Sequence, residues 1–149
     1  MRNKKAIILD RDGFLIEDKN YSYKLEDMEV LTGVIEGLKL LKTKFLLFIV
    51  TNQSGIGLSF YTVNDFLKCN NHLISKLQLE GIRIEKTYYC PHLREDWCEC
   101  RKPNPKYLFD IRDGWNTDLK LSWMIGDNPS DVEFGINGGC QTVYMSTGH

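Results

Sequence analysis

Five short apolar runs recur along the chain, and segments with helical patterns separate them. The runs are residues Ala6–Leu9, Phe45–Val50, Ile84–Tyr89, Leu121–Ile125 and Thr142–Met145. Their length and apolar character are typical of strands that are buried on both faces. Strands that alternate with helices pair in parallel through right-handed crossovers. The sequence therefore predicts an α/β fold: a doubly wound, Rossmann-like parallel sheet of about five strands with helices on both faces.

The clearest helix signal begins at Thr62. Asp65 follows three residues later, as in a capping box, and apolar residues then recur at helical spacing until Gly81 offers a C-terminal stop. Three more helices are predicted: one after Thr32, one that Asn104-Pro105 caps and opens and that ends by Gly114, and one that begins at Pro129 and carries Val132 and Ile136.

Composition limits the classes of protein that remain. The chain has 149 residues, of which 42% are hydrophobic, so residues 1–149 fit one domain with a sizeable core. Nineteen basic and 20 acidic residues leave a formal charge of −1, which argues against a nucleic-acid surface or a polybasic membrane anchor. The run Ala6–Leu9 is too short for an export signal, and no apolar stretch is long enough to span a bilayer. We therefore expect a cytoplasmic protein. A monomer is also expected.

Polar motifs stand where the apolar runs stop. Asp10-Arg11-Asp12-Gly13 follows the first run, Thr51-Asn52-Gln53-Ser54-Gly55 the second, and Gly126-Asp127 the fourth, with Asp131 four residues later. Cys100-Arg101-Lys102-Pro103 follows the third run. Open parallel sheets bind ligands at the carboxyl ends of their strands, so these motifs predict a single site.

The residue types in these motifs suit phosphoryl transfer. Asp10 and Asp12 lie two residues apart in extended chain, so their side chains share one side and need a cation or a proton between them. Asp127 can complete an oxygen-ligand site of the kind that Mg²⁺ prefers, and Lys102 can balance phosphate charge. Each motif alone is usually structural: Asp-x-Asp-Gly is most often a turn, and a lone lysine a surface charge. Their joint occurrence at successive strand ends favours the catalytic interpretation.

The irregular stretch between residues 91 and 103 is long for a compact domain and needs a source of order. Four potential zinc ligands lie in this stretch or directly before it and can close a tetrahedral site: Cys90, His92, Cys98 and Cys100. A closed site is structural, and the last ligand immediately precedes Arg101 and Lys102. We therefore expect zinc to hold these two side chains in position.

The motifs DRDG, TNQSG, CRKP and GDNPSD occur in one order over nearly the whole chain. In this the chain resembles the haloacid dehalogenase-like superfamily, specifically the branch that contains heptose 1,7-bisphosphate phosphatases and histidinol-phosphatases. The resemblance implies that Asp10 is a nucleophile that becomes an aspartyl-phosphate and that Asp12 is the acid and base. By the same resemblance, Mg²⁺ is held by Asp10, the Asp12 carbonyl and Asp127, with support from Asp131. Thr51 and Lys102 hold the phosphoryl oxygens, and the substrate side is lined by Asn52, Gln53 and Arg101. The branch also often carries a zinc-binding loop.

The implied substrate is a small phosphorylated metabolite, first D-glycero-D-manno-heptose 1,7-bisphosphate with loss of its 7-phosphate, with histidinol phosphate as the alternative. Three departures keep a slow or non-catalytic binding protein open as an alternative of another class. Phe14 stands where the family usually has threonine, Leu58 where relatives often have arginine, and Asn128 where a lysine or arginine is usual. Lys24 could compensate for the lost charge. No insertion is large enough for a cap domain, so we expect an open site.

Overall fold

A computed structural model describes residues 4–17, 28–31 and 33–146. Within them a five-stranded parallel sheet has the order β3-β2-β1-β4-β5, which confirms the predicted fold class. The strands are β1 (Ala6–Leu9), β2 (Leu46–Asn52), β3 (Lys86–Cys90), β4 (Trp123–Gly126) and β5 (Gln141–Tyr144). The helices are α1 (Val34–Leu41), α2 (Ser54–Gly57), α3 (Val63–Leu79), α4 (Lys106–Trp115) and α5 (Pro129–Gly138). None of the described helices has the length and apolar character needed to cross a membrane.

The central strand β1 has side chains buried on both faces of the sheet. Ile7 and Leu9 belong to one apolar cluster, which α1 and α3 cover, and Ala6 and Ile8 belong to a second, which α4 and α5 cover. This alternation is the two-residue period of a strand. Each fully buried aliphatic side chain contributes about 1.5–3 kcal/mol. The continuous apolar run therefore fixes β1 at the centre of a three-layer structure.

The capping signal at Thr62 is confirmed. Its hydroxyl accepts a hydrogen bond from the Asp65 amide at 3.1 Å, and the Asp65 carboxylate accepts one from the Thr62 amide at 2.9 Å. A second capping box, which the sequence reasoning did not identify, opens α5. There the Asn128 side chain accepts from the Ser130 amide, and the Asp131 carboxylate accepts from the Asn128 amide.

Two details of the helix predictions are wrong. Asn104 does not cap α4, because its side-chain amide donates to the Cys98 carbonyl at 2.8 Å and Pro105 occupies the N-cap position. The helix also continues past Gly114 and ends at Trp115, where Asn116 takes the left-handed conformation. The expected start at Thr32 lies outside the described residues.

The buried face of α5 also differs from the expectation. Ile136 is 64% exposed, whereas Phe134 and Gly135 are buried. Gly135 permits this close packing, because a Cβ at that position would lie 2.4 Å from a Thr142 methyl group. The third and fourth strands begin two residues later than predicted, and Leu121 belongs to a short 3₁₀ turn that precedes β4.

Candidate active site

The strand-end motifs meet because β2, β1 and β4 are neighbours in the sheet. Their carboxyl ends form a cleft of about 370 Å³, here called the strand-end cleft. It is lined by Asp10, Asp12, Thr51, Asn52, Gln53, Ser54, Tyr61, Lys102, Asn128, Ser130 and Asp131. The structure thus brings together most of the predicted catalytic residues, although they are separated by up to 121 positions in the sequence.

Lys102 is the buried cation of this cleft. Its ammonium donates to the carboxylates of Asp10 at 2.9 Å and Asp131 at 2.7 Å, and to the Val50 carbonyl at 2.8 Å, while the residue is only 4% exposed. Burial alone would lower the pKa of this lysine, but the charges of Asp10 and Asp131 outweigh that effect and raise it. Lys102 is therefore held charged beside Asp10.

Three carboxylates form a compact group of oxygen ligands beside Lys102. One oxygen from each of Asp10, Asp127 and Asp131 lies within 4.8 Å of the others. Burial raises the pKa of Asp131, the charge of Lys102 lowers it, and the charge of Asp10 raises it. The resulting pKa is about 6. Such a set of hard, partly repelling oxygens fits Mg²⁺, which prefers carboxylates. The Asp12 side chain does not belong to this group, so Asp12 could contribute as a ligand only through its backbone carbonyl, as the resemblance implies.

Asp131 depends on the glycine that ends β4. A Cβ on Gly126 would lie 2.2 Å from an Asp131 carboxylate oxygen, closer than non-bonded atoms approach. The glycine therefore lets the first turn of α5 bring Asp131 directly against the strand end.

Asp12 also lines the strand-end cleft but lies outside the group formed by Asp10, Asp127 and Asp131. Its carboxylate accepts hydrogen bonds from the Gln53 amide at 2.7 Å and from Arg11 Nε at 3.1 Å. Arg11 is buried and lies over the Phe66 ring at 4.8 Å. Burial raises the pKa of Asp12 above its ordinary value, although Arg11 and Gln53 lower it. A carboxyl whose protonated form is favoured in this way can donate a proton to a reacting group.

The two side-chain amides predicted on the substrate side also form hydrogen bonds with predicted catalytic residues. Asn52 accepts from the Lys102 amide at 3.0 Å and donates to the Lys102 carbonyl at 3.3 Å. Gln53 bonds both Asp12 and the Thr51 hydroxyl, and its own oxygen accepts from the Tyr61 hydroxyl. Both amides remain on the cleft wall. Asn52 thus holds the backbone of Lys102, and Gln53 holds the Asp12 carboxylate.

Arg101, also predicted on the substrate side, faces an adjoining depression of about 700 Å³, the loop-side cleft. One of its guanidinium nitrogens lies 3.5 Å from the His92 carbonyl. Ser54, Tyr61 and Ser130 line the strand-end cleft, and the sequence reasoning missed them as site residues. Ser54 stands in the second motif and Ser130 beside Asp131, so adjacency was the available signal, whereas Tyr61 carried none.

The Cys/His cluster assembles as predicted. Cys90 Sγ lies 3.4 Å from His92 Nδ1, 3.4 Å from Cys98 Sγ and 3.1 Å from Cys100 Sγ. Cys100 Sγ lies 3.3 Å from His92 Nδ1 and 3.8 Å from Cys98 Sγ. Four ligands at zinc bond lengths would be separated by about 3.6–3.8 Å along the edges of a tetrahedron. Four of the five described separations, 3.1–3.4 Å, are somewhat shorter than these edges and the fifth, 3.8 Å, matches them, so the cluster is compact enough to surround a single ion.

The Cys/His cluster is linked to two residues of the strand-end cleft, Gln53 and Lys102. The backbone N–H of Gln53 donates a hydrogen bond to the Cys90 carbonyl at 2.7 Å, and Cys100 lies two residues before Lys102. The loop also packs against α2, since a Cβ on Gly57 would lie 2.8 Å from the Pro91 carbonyl oxygen. An ordered loop therefore helps to position Asp12, which Gln53 bonds, and Lys102, which follows Cys100 closely in the chain.

The departures from the family pattern lie at the margins of this centre. Phe14 packs against the apolar cluster under α1 and does not line the strand-end cleft. Leu58 is 41% exposed after α2, and Asn128 caps α5. Lys24 lies outside the described residues.

Comparison with known proteins extends these observations. A family model described as HAD-hydrolase-like matches residues 99–149. The chain is 42% identical over 142 residues to D-glycero-alpha-D-manno-heptose-1,7-bisphosphate 7-phosphatase of Campylobacter jejuni, covering 95% of this chain and 81% of that protein. It is 39% identical over 139 residues to D-glycero-beta-D-manno-heptose-1,7-bisphosphate 7-phosphatase of Helicobacter pylori, covering 92% and 80%.

Among solved structures, the crystal structure of D,D-heptose 1,7-bisphosphate phosphatase from B. bronchiseptica, complexed with magnesium and phosphate, superimposes with a TM-score of 0.89. The two sequences are 28% identical, and the match covers 97% of this chain and 82% of that one. Histidine biosynthesis bifunctional protein HisB of Blochmanniella floridana is 34% identical over 145 residues, but the match covers only 41% of that longer protein. This chain belongs to the D-glycero-D-manno-heptose-1,7-bisphosphate phosphatase family of haloacid dehalogenase-like hydrolases.

Proposed function

We propose that this chain is a magnesium-dependent phosphatase that removes the 7-phosphate of D-glycero-D-manno-heptose 1,7-bisphosphate. The observation that carries the proposal is the buried Lys102, paired with Asp10 and Asp131 at the mouth of parallel strands. A buried ion pair contributes little to stability, so its presence in an open cleft calls for a functional reason. The high identity to heptose bisphosphate 7-phosphatases over nearly the whole chain supports the substrate class.

In the proposed first step, a carboxylate oxygen of Asp10 attacks the phosphorus of the 7-phosphate. A bond forms between Asp10 and phosphorus, and the bond from phosphorus to the sugar oxygen breaks. Lys102 and the Thr51 hydroxyl hold the phosphoryl oxygens, where negative charge spreads in the transition state. Asp12 donates its proton to the leaving sugar oxygen, which departs as an alcohol.

In the second step the same groups act in reverse. Asp12, now a carboxylate, takes a proton from water, and the water oxygen attacks the phosphorus of the aspartyl-phosphate. The bond between phosphorus and Asp10 breaks, so inorganic phosphate and the free carboxylate are formed. Gln53 and Arg11 keep Asp12 at one position through both steps, because each donates a hydrogen bond to its carboxylate.

Asp10, Asp127 and the Asp12 backbone carbonyl would hold Mg²⁺, with Asp131 beside them. When bound, the ion neutralises charge on the phosphoryl oxygens and on the clustered carboxylates. Cys90, His92, Cys98 and Cys100 would hold a structural Zn²⁺. The proposed role of this second site is positional, since Arg101 and Lys102 follow Cys100 directly.

Phosphate release from a panel of phosphorylated metabolites tests this proposal. The panel contains both anomers of heptose 1,7-bisphosphate, because relatives named for each anomer match the chain, together with histidinol phosphate, because of the match to HisB. We expect Mg²⁺-dependent release from a heptose bisphosphate at least tenfold faster, in kcat/KM, than from histidinol phosphate. The opposite ranking would replace the proposed substrate, and no release from any compound would favour a binding protein.

The Asp10→Asn variant serves as the mechanistic control. We expect it to lose at least three orders of magnitude in kcat while keeping its fold, because the amide cannot act as the nucleophile. Asp110→Asn, a matched change on the exposed surface of α4, should leave kcat unchanged. An active Asp10→Asn protein, or a phosphoryl group trapped on another residue, would refute the mechanism.

A further inference from the structure

The loop-side cleft opens directly from the strand-end cleft. The two share the lining residues Asn52, Lys102, Asn128 and Ser130. A ligand whose reacting phosphate lies at Asp10 can therefore extend over Lys102 into the second cleft. The outer wall of that cleft is the loop between His92 and Cys98, which the proposed reaction steps do not use.

Trp97 stands on this wall and is 91% exposed. A single exposed apolar side chain is common on protein surfaces and needs no explanation by itself. The backbone of Trp97, however, takes the left-handed conformation, with φ 52° and ψ 39°. That conformation is unfavourable for a large side chain, so the loop holds the indole on the cleft at some cost.

The backbone around Trp97 is anchored on both sides. Before it, a short 3₁₀ turn over Arg94–Asp96 is closed by the Asp96 carboxylate, which accepts from the Leu93 amide at 2.8 Å. The Leu93 side chain in turn packs beside Gly57 of α2. After it, Cys98 belongs to the Cys/His cluster. The indole is therefore presented from a preorganised segment, which reduces the entropy lost when a ligand binds.

The charges around the indole favour an anionic ligand with an apolar face. Arg94 and Arg101 line the same cleft, and Lys102 lies at its inner end. Glu133 provides one opposing carboxylate on the α5 side. An aromatic ring has a negative face, which attracts the slightly positive C–H groups of a sugar ring, and an arginine can bind a phosphate through two parallel hydrogen bonds.

We propose that Trp97 and Arg94 are specificity-determining residues for a sugar bisphosphate. The indole contacts the C–H face of the sugar, and the Arg94 guanidinium pairs with the phosphate that is not hydrolysed. The inference rests on the proposed function and deepens it. Both residues act on binding alone and leave the groups at the reacting phosphorus unchanged.

Steady-state kinetics on three substrates test the inference: heptose 1,7-bisphosphate, heptose 7-phosphate and acetyl phosphate, which has no sugar. Trp97→Ala should lower kcat/KM about tenfold for both sugar phosphates, mainly through KM, and Trp97→Phe should retain most of it. Arg94→Gln should lower kcat/KM for the bisphosphate alone. Every variant should hydrolyse acetyl phosphate within twofold of the wild type. Leu79→Ala, which removes a side chain that is 89% exposed elsewhere, is the matched control and should change nothing.

Binding provides a second readout. In an Asp10→Asn background, heptose bisphosphate should change the tryptophan emission, and Trp97→Phe should remove that change, although Trp115 and Trp123 remain. Active wild-type protein with unaltered KM in Trp97→Ala and Arg94→Gln would overturn the inference and leave the proposed function intact. Equal losses on acetyl phosphate would also overturn it, since they would indicate damage at the catalytic centre. Wild-type protein without activity on any sugar phosphate would instead refute the proposed function.

Discussion

The Lys102→Met substitution keeps the length of the side chain and removes its charge. In the folded protein the ammonium lies between 2.7 and 2.9 Å from its three acceptors and is almost fully buried. Its loss leaves the Asp10 and Asp131 carboxylates buried without their cation. Removal of one partner of a buried ion pair costs about 3–5 kcal/mol. We therefore expect the free energy of unfolding to fall by about 3–5 kcal/mol in Mg²⁺-free buffer at neutral pH.

Urea denaturation followed by circular dichroism measures this loss, with no chelator present so that any metal on the cysteine loop is retained. Added Mg²⁺ should narrow the difference between variant and wild type, because a cation on the carboxylates replaces part of the missing charge. Activity should not return, since the phosphoryl oxygens still lack the lysine. Lys106→Met is the matched control: its pair with Asp110, at 2.8 Å, joins side chains that are 44% and 42% exposed, so we expect a loss below about 0.5 kcal/mol.

Two results would refute this reasoning. A Lys102→Met protein as stable as the wild type without Mg²⁺ would show that the carboxylates do not depend on the ammonium. A loss of the same size in Lys106→Met would show that the effect does not arise from burial of the pair.

Three further predictions concern residues around the centre. We expect about one zinc ion per chain in the wild type. Cys98→Ser should lower both this zinc content and the melting temperature, because binding energy at a structural site is folding energy. Metal-free wild-type protein with an unchanged melting temperature would contradict this. Phe14→Thr should cost about 1–3 kcal/mol of stability without raising kcat, since the ring fills space in the core under α1; a raised kcat at unchanged stability would show that the missing hydroxyl limits turnover. Gly126→Ala should raise the Mg²⁺ concentration needed for half-maximal activity severalfold by displacing Asp131, and a normal Mg²⁺ requirement would count against a supporting role for Asp131 beside the ion.

The chemistry-bearing residues were predictable because they follow apolar runs. The run Ala6–Leu9 predicted a buried strand, and in a parallel sheet its end must lie beside the ends of its neighbours. Asp10, Thr51 and Asp127 could be grouped on that basis alone. The Cys/His cluster was predictable from spacing, since two pairs of ligands fall within one loop.

The hydrogen-bond partners of the polar side chains were not predictable from the sequence. Asn52 and Lys102 are 50 positions apart, and their two hydrogen bonds depend on where the chain returns after the loop. The partnership of Gln53 with Asp12 likewise depends on the backbone of a four-residue helix that has no periodicity to detect. Asn104 failed as a predicted cap because its amide found a partner six residues back. The preference of asparagine for the helix N-cap position was thus overridden by a hydrogen bond to the preceding loop.

The loop between Cys90 and Cys100 begins at an edge strand of the sheet and has both ends fixed by one cluster. Changes confined to residues 93–97 retain all four potential ligands, so we expect them to leave the positions of Gln53 and Lys102 unchanged. This short segment is in that sense exchangeable, whereas His92 and Cys98 on either side of it are not. Grafting segments of other lengths between His92 and Cys98 is accordingly a direct test of whether this loop sets the choice of substrate.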